Sequence, residues 1–299
     1  MQTFTRIHNP PSQALPANAT DCHMHVFGPF DRFPLAAERS YTVPEAPLDA
    51  HERMKCQVGL ERTVFVQASG HGLDNRALLA ALAQLGSRAR AVAVVAPDAS
   101  RAELERLHAA GVRGARLNLY SLAGRYADDP AQLVAQFAKT LAPLAWHLQL
   151  LIDAPTMVAL EPVLARSPID IVIDHMGLPD ARDGIEQSGF QVMRRLLRGG
   201  RAWAKLAGAD RITRHTGRLR DAIPFMQALA DAALDRLVWG SDWPNIGFHS
   251  SQQVADDHLL AHRELDAGEL LELLIEALPD ARHREIVLAR NPATLYGFG

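Results

Sequence analysis

Two histidines stand two positions apart at the end of a short apolar run near the start of the chain, in the sequence Asp21-Cys22-His23-Met24-His25. In an extended strand alternate side chains point to the same side, so His23 and His25 would project together. Paired imidazoles can move protons or bind a divalent metal. The alternative interpretation is that both histidines merely share one face of an exposed strand.

Two other apolar runs also end in polar residues that could join this pair. His175 ends one of them, and Asp242 follows the other. Taken alone, His175 could be a structural hydrogen-bonding residue, and Asp242 could cap a turn. If the strands close into a barrel, the last strand lies beside the first, and Asp242 comes within reach of His23 and His25. A carboxylate beside imidazoles is suited to general-base catalysis or to metal binding.

The elements that must position these residues follow from the hydrophobic pattern. Short apolar runs alternate with longer amphipathic stretches, which is typical of a parallel sheet covered on both faces. The predicted strands are residues 21–26, 63–68, 91–95, 112–119, 148–152, 169–174, 202–206 and 236–239. The predicted helices are residues 48–58, 74–85, 101–110, 130–145, 156–165, 190–197, 218–233, 266–275 and 282–289.

Eight strands with interleaved helices favour an α/β fold, a (β/α)8 TIM barrel with its active site at the C-terminal ends of the strands. A doubly wound open sheet is the rival architecture, but the sequence has no glycine-rich strand-to-helix loop of the dinucleotide-binding type. No Ser- or Gly-rich linker divides the chain. We therefore predict an N-terminal lead-in over residues 1–19 and a single barrel domain over residues 20–299. Residues 29–47 form a long first loop that should lie over the barrel mouth.

Charge and composition exclude several classes of protein. The formal net charge is −3, which argues against a nucleic-acid partner. No apolar run approaches the ~18 residues of a membrane span, and the first residues lack the pattern of a signal peptide. The two cysteines, Cys22 and Cys56, make neither a zinc motif nor a disulfide framework and fit a reducing compartment. We predict a cytoplasmic protein that acts on a small molecule; the oligomeric state stays open.

The three motif-bearing strand ends resemble the amidohydrolase superfamily. They comprise residues 21–29, 172–177 and 239–244, and further matching segments occur at 66–69, 71–72, 74–75, 113–116, 209–211 and 291–292, so the resemblance spans nearly the whole chain. Within the superfamily the motifs are most similar to the 2-pyrone-4,6-dicarboxylate lactonases. The resemblance implies a carboxylic-ester hydrolase that opens a carboxylated lactone.

The resemblance also implies roles for individual residues. Asp242 would take a proton from water and pass it to the leaving oxygen, while His23, His25 and His175 would polarise the lactone carbonyl by hydrogen bonds or positive charge. Four further positions match substrate-contact positions of the lactonases. They are Arg116 and Arg211, which would hold substrate carboxylates, together with Tyr41 and Ser69.

Two departures from the lactonase pattern put that particular dicarboxylate in doubt. The lactonases have a second arginine a few residues beyond the position of Arg116, where this chain has Tyr120-Ser121-Leu122 and the next arginine is Arg125. They also have a tyrosine on the fifth strand, where this chain has apolar residues at 150–152. A lactone with fewer or differently placed carboxylates fits better. The roles of Arg125, Arg214 and His249 stay open, although a solvated surface position is favoured for Arg113, Arg125 and Arg214.

The metal content is the other open point. A fifth-strand histidine and a fourth-strand bridging residue, which many zinc-binding members of the superfamily use, are missing, so we predict that no metal cofactor is required. The alternative is one divalent metal such as zinc on His23, His25 and Asp242. Alternative functions are a lactone isomerase, or a zinc-dependent lactonase or decarboxylase, on the same scaffold, and a non-catalytic binding protein that kept the pocket.

Overall fold

The fold was obtained as a computed structural model, which describes residue 4 and residues 6–39, 41–120, 129–248 and 259–299. Eight parallel strands form one sheet whose order follows the chain. They are β1 (Thr20–Met24), β2 (Arg62–Val66), β3 (Ala89–Ala93), β4 (Val112–Asn118), β5 (His147–Leu151), β6 (Ile171–Ile173), β7 (Ala202–Leu206) and β8 (Leu237–Trp239). The predicted (β/α)8 barrel in a single domain is confirmed.

Helices follow every strand. They are α1 (Leu48–Val58), α2 (Arg76–Leu85), α3 (Arg101–Ala109), α4 (Pro130–Leu141), α5 (Ala154–Leu164), α6 (Ser188–Arg198), α7 (Ala209–Ile212), α8 (Ile223–Ala233), α9 (Ala267–Ala277), α10 (Ala281–Glu285) and α11 (Asn291–Tyr296). Helix α4 shows why such segments fold as helices. The Asp129 side chain accepts hydrogen bonds from the backbone N–H groups of Ala131 and Gln132, and Pro130 occupies the first turn. Apolar side chains three and four positions apart then form its buried face.

The barrel is joined between its last and first strands by the segments that carry the candidate catalytic residues. The backbone N–H of Asp242 donates to the carbonyl oxygen of His23 at 2.8 Å. The N–H of His25 donates to the carbonyl oxygen of Trp243 at 2.8 Å. Because these bonds continue the parallel pairing beyond β8, the loop with Asp242 is held directly against the strand with the two histidines.

Some element boundaries differ from those predicted. Strand β6 ends at Ile173, because the backbone of His175 and Met176 adopts left-handed angles and turns away from the sheet. The short helix α7 was not predicted. The helix expected at residues 218–233 begins at Ile223 instead, after a separate turn at Leu219–Ala222.

The long first loop lies over the barrel mouth as predicted. Its base is closed by paired backbone hydrogen bonds between Phe27 and Ala46, and the Tyr41 side chain reaches the cavity at the strand ends. Among the described residues no helix combines the length and the apolar character that a membrane crossing requires.

Candidate active site

A cavity of about 190 Å³ lies at the carboxyl ends of the strands. Of the eight residues singled out from the sequence, seven line it: His25, Tyr41, Ser69, Arg116, His175, Arg211 and Asp242. The eighth, His23, is fully buried directly beneath, with its ring centroid 4.7 Å from that of His175. Residues spread over more than two hundred positions of sequence therefore meet in one place.

Three imidazoles surround one carboxylate oxygen at the floor of the cavity. The Nε2 atoms of His23, His25 and His175 lie 3.7, 3.8 and 3.7 Å from Asp242 Oδ1. These distances are too long for direct hydrogen bonds. They suit a small ligand held jointly by the four groups, such as a water molecule or a metal ion.

Two of the four groups sit on strained backbone. His175 has φ 51° and Asp242 has φ 58°, in the left-handed region that costs an ordinary residue about 1–2 kcal/mol. Such strain persists where the surroundings enforce it, and it concentrates at functional sites. Gly208 leaves room for the His175 ring in this conformation, because a Cβ at position 208 would lie 2.8 Å from His175 Nδ1.

The protonation state of His25 follows from its hydrogen bond. Its Nδ1 lies 2.8 Å from the carbonyl oxygen of Val66, which can only accept, so Nδ1 carries a proton. Burial, followed by the charge of Arg116, lowers the pKa of His25 to about 4, so the ring is neutral at pH 7. The Nε2 atom of His25 therefore presents a lone pair, not a proton, to the cavity.

His175 and His23 are also neutral at pH 7. Burial is the main reason that the pKa of His175 lies at about 4, and it holds the pKa of His23 well below its usual value. At pH 7 the contacts between these histidines and Asp242 therefore join a neutral ring to a carboxylate and are not ion pairs. Neutral imidazoles can act as hydrogen-bond acceptors, proton donors or metal ligands, depending on the tautomer.

Arg211 provides the positive charge that Asp242 needs. Both its Nε and its Nη2 lie 2.8 Å from Asp242 Oδ2, and Arg263 Nη2 lies 3.7 Å from the same oxygen. Burial opposes the charged form of Asp242, but Arg211 and the surrounding histidines outweigh it, and the pKa of Asp242 falls far below its usual range. The sequence predicted that Arg211 would hold a substrate carboxylate; within the chain it holds Asp242.

Arg116 is buried in the cavity wall and is also engaged. Its Nε lies 3.3 Å from Asp174 Oδ2, and its Nη1 lies 3.4 Å from Ser69 Oγ. Ser69 also accepts a hydrogen bond of 2.9 Å from Asn118. Tyr41 accepts a hydrogen bond of 3.0 Å from the backbone N–H of Gly70 through its hydroxyl oxygen. Arg116, Ser69 and Tyr41 thus lie in one part of the wall, whereas Arg211 pairs with Asp242.

Asp21 has a supporting role that the sequence did not indicate. Its carboxylate accepts from the backbone N–H of Ser241 at 2.9 Å, from the Ser241 hydroxyl at 2.5 Å and from His51 at 3.0 Å. These bonds tie β1 and α1 to the loop after β8. Asp21 therefore fixes the relative position of His23 and Asp242.

Sequence reasoning also missed a buried polar layer beneath the cavity, formed by Asp174, Gln149 and Lys205. The one available signal was the presence of single polar side chains in otherwise apolar strands.

A surface position was favoured for Arg214, and its side chain is exposed, but it faces the cavity with its guanidinium 4.7 Å from the Phe248 ring centroid. Arg113 was expected at the solvated surface, but its side chain is half-buried. Arg125 and His249 lie outside the described residues.

The profile of the amidohydrolase family matches residues 20–298. The chain belongs to the amidohydrolase family. The family predicted from the sequence is confirmed.

Curated relatives agree with this membership. The amidohydrolase is 33% identical over 296 residues to a 2-pyrone-4,6-dicarboxylate hydrolase of Comamonas testosteroni, covering 96% of this chain and 92% of that protein. It is 34% identical over 290 residues to a 4-sulfomuconolactone hydrolase of Rhizobium radiobacter, covering 96% and 93%. It is 28% identical over 291 residues to a D-galactarolactone isomerase of Agrobacterium fabrum, covering 96% and 93%. The relatives are lactone hydrolases and a lactone isomerase, and the prediction of an enzyme is confirmed.

A solved structure shares the architecture. A probable 2-pyrone-4,6-dicarboxylic acid hydrolase from Acinetobacter baumannii, crystallised with citric acid bound, superimposes with a TM-score of 0.75 at 27% identity. The match covers 94% of this amidohydrolase and the whole of that chain.

The donor atoms at the cavity floor fit a divalent metal. Those of His23, His25 and Asp242 lie within 4.8 Å of one another, as do those of His23, Asp174 and His175. His23 Nε2 and Asp242 Oδ1 are buried and make no hydrogen bond to any described residue. Imidazole nitrogens with a carboxylate oxygen are ordinary zinc ligands. These residues could therefore hold a metal ion, and the prediction that the enzyme requires none stays a prediction.

Proposed function

We propose that this amidohydrolase hydrolyses a small lactone that carries at least one carboxylate, with Asp242 as the general base. The observation that carries the proposal is the group of three Nε2 atoms within 3.7–3.8 Å of Asp242 Oδ1, at the floor of a cavity that also presents Arg116 and Arg211. The similarity to two lactone hydrolases supports the choice of substrate class.

In the proposed reaction a water molecule lies between Asp242 Oδ1 and the histidines. Asp242 takes one proton from it as the water oxygen bonds to the lactone carbonyl carbon. The ring C–O bond then breaks, and Asp242 returns the proton to the ring oxygen, which becomes a hydroxyl or enol group. The second proton of the water is released when the new carboxylic acid ionises. The lactone and one water therefore give a ring-opened carboxylate and one proton, so atoms and charge balance.

The histidines divide into two kinds in this scheme. His25 uses its only proton on the Val66 carbonyl, so its Nε2 accepts a hydrogen bond from the water and orients it. The ring of His175 has no hydrogen bond at Nδ1 to any described residue, which leaves its Nε2 free to carry the proton and donate to the carbonyl oxygen. The sequence analysis gave all three histidines the carbonyl-polarising role; the geometry supports that role for His175 and not for a neutral His25.

Arg211 links substrate binding to the strength of the base. A carboxylate with a very low pKa is a weak base, and Arg211 is the charge that lowers the pKa of Asp242 most. A substrate carboxylate that shares Arg211 would draw its positive charge away from Asp242 and make Asp242 more basic. The proposal therefore predicts that removing the substrate carboxylate lowers kcat as well as raising KM.

If a divalent metal is present, His23, His25 and Asp242 would hold it, and it would supply Lewis-acid polarisation and a more acidic water. The task of Arg116, Arg211, Tyr41 and Ser69 stays the same in either case, namely to bind and orient the substrate.

The relative that is a lactone isomerase makes isomerisation the second candidate. The test is a screen of carboxylated lactones by proton release, followed by mass spectrometry of the product formed in isotopically labelled water. Hydrolysis releases a proton and adds one labelled oxygen, whereas isomerisation leaves the mass unchanged. Turnover with no label in the product would overturn the hydrolase proposal.

A further inference from the structure

A connected set of buried polar side chains lies directly beneath the cavity floor. Lys205 on β7 donates to the carbonyl oxygen of Cys22 at 2.8 Å and to Gln149 Oε1 at 2.7 Å. Gln149 on β5 donates to Asp174 Oδ2 at 3.1 Å, and Arg116 reaches the same oxygen at 3.3 Å. Lys205, Gln149 and Asp174 are fully shielded from solvent. Side chains from the three strands β4, β5 and β7 converge on the Asp174 carboxylate, and the proposed reaction leaves that carboxylate without a task.

The other oxygen of Asp174 faces His23. His23 Nδ1 lies 3.3 Å from Asp174 Oδ1, and Lys205 Nζ lies 3.8 Å from the same oxygen. As placed, Asp174 Oδ1 makes no hydrogen bond to a described residue, although both nitrogens lie close to it. A buried carboxylate oxygen with no donor is unfavourable. The nearest nitrogen that can supply a proton is His23 Nδ1, so the contact is best satisfied when His23 is protonated there.

Lys205 is the competing donor, because a hydrogen bond from its ammonium group to His23 Nδ1 would require that nitrogen to be unprotonated. Its Nζ lies 3.4 Å from His23 Nδ1, but two of its three protons are used by Cys22 and Gln149. The third proton can point to Asp174 Oδ1, where it adds to the stabilisation of the carboxylate. With Nδ1 protonated, the Nε2 atom of His23 presents a lone pair 3.7 Å from Asp242 Oδ1.

We propose that Asp174 is a positioning residue that keeps the proton of His23 on Nδ1, so that the Nε2 lone pair of His23 faces Asp242, and that Gln149 and Lys205 hold Asp174 in the required orientation. The proposal rests on the cavity being the site of the proposed hydrolysis. In function, two lone pairs, from His23 and His25, and one carboxylate oxygen would then converge on the same point. Such a group binds both protons of a water molecule, or a cation, and rejects an anion.

The first test needs no substrate. The nitrogen chemical shifts of isotope-labelled histidine side chains distinguish the two neutral tautomers, and the His23 signal is identified by its loss in the His23→Gln variant. We expect His23 to be protonated at Nδ1 and not at Nε2, before and after treatment with a chelator. A His23 signal protonated at Nε2 would overturn the proposal, whether or not a lactone is the substrate.

The second test uses Asp174→Asn, which keeps the shape of the side chain and can turn an amide donor toward Nδ1. We expect the His23 proton to move to Nε2 and kcat to fall about 10- to 100-fold, with a smaller change in KM. The matched control is Asp266→Asn, which alters another carboxylate–histidine contact away from the cavity, that of Asp266 with His8 at 3.6 Å. This control should lower Tm without moving the His23 proton.

A third variant separates support of Asp174 from a general loss of stability. Gln149→Met removes the amide that joins Lys205 to Asp174 and keeps the side-chain length, so we expect a smaller fall in kcat in the same direction. If Asp174→Asn lowers Tm but leaves both the His23 tautomer and kcat unchanged, Asp174 serves only the stability of the barrel and the proposal is wrong.

Discussion

The Asp242→Asn variant offers a sharp test of the cavity floor, because the structure predicts two separate losses. The substitution keeps the shape of the side chain and removes the base, so kcat should fall about 10²- to 10⁴-fold. It also removes the negative charge that Arg211 contacts at 2.8 Å. Arg211 would then keep its charge without its partner, so the structure also predicts a measurable loss of stability.

The size of the stability loss follows from the environment of Arg211. Breaking a buried ion pair typically costs about 3–5 kcal/mol because one charge is left without its partner. Asp242 is 1% exposed, but the Arg211 side chain is 17% exposed and Asp210 also stabilises its charge. We therefore expect the free energy of unfolding to fall by about 3 kcal/mol, at the lower end of that range. For a chain of this length the corresponding fall in Tm is about 5 °C.

Denaturant unfolding and steady-state kinetics on the same preparations would measure both losses. A double-mutant cycle with Arg211→Gln should show a coupling energy of at least about 1 kcal/mol, because the second substitution removes the charge that the first leaves unpaired. Asp221→Asn is the control, since Asp221 pairs with Arg218 at the protein surface and should change neither quantity appreciably. Full kcat in Asp242→Asn would refute the base assignment, and additive unfolding energies would refute the ion-pair argument.

Three further predictions concern the rim, the metal and the effect of pH. Arg214 lines the cavity and, within the described ranges, contacts no carboxylate. Arg214→Gln should therefore raise KM for a lactone with a second acidic group, whereas Arg218→Gln should not. Equal KM values for the wild type and both variants would remove Arg214 from the site. Equilibration with zinc should load about one ion per chain on the wild type and less on His25→Asn, as measured by elemental analysis; equal loading would place any metal elsewhere. Burial lowers the pKa of His147 to about 3 in the folded protein, so between that pH and about 6.5 only the unfolded chain binds a proton there. The free energy of unfolding should therefore fall on acidification through this window, and it should fall less steeply in His147→Gln. The same dependence on pH in both proteins would show that His147 does not contribute to it.

The hydrophobic pattern of the sequence was sufficient for the barrel, because each strand and helix shows its own periodicity locally. Helix α1 has the bounds predicted for it, Leu48–Val58. The boundary of β6 was less accurate, because its end depends on the left-handed backbone of His175 and Met176, which the surrounding structure imposes.

For the site, the residue types at three strand ends were enough to nominate His23, His25, His175 and Asp242, since parallel strands in a barrel must end at the same face. Their protonation could not be predicted in this way. It depends on the Val66 carbonyl for His25 and on Asp174 for His23, and these contacts join strands that lie far apart in sequence.

The sequence by itself indicated that His23, His25, His175 and Asp242 gather at the mouth of the barrel, because the strand pattern and the side-chain alternation that place them are local properties of the chain. Only the tertiary structure decided how the charges at and beneath the cavity are paired: Arg211 with Asp242, and both Arg116 and Lys205 with Asp174. A charge interacts with whatever lies within a few ångströms in space, and the choice among several arginines and carboxylates is made by packing, which no single strand encodes.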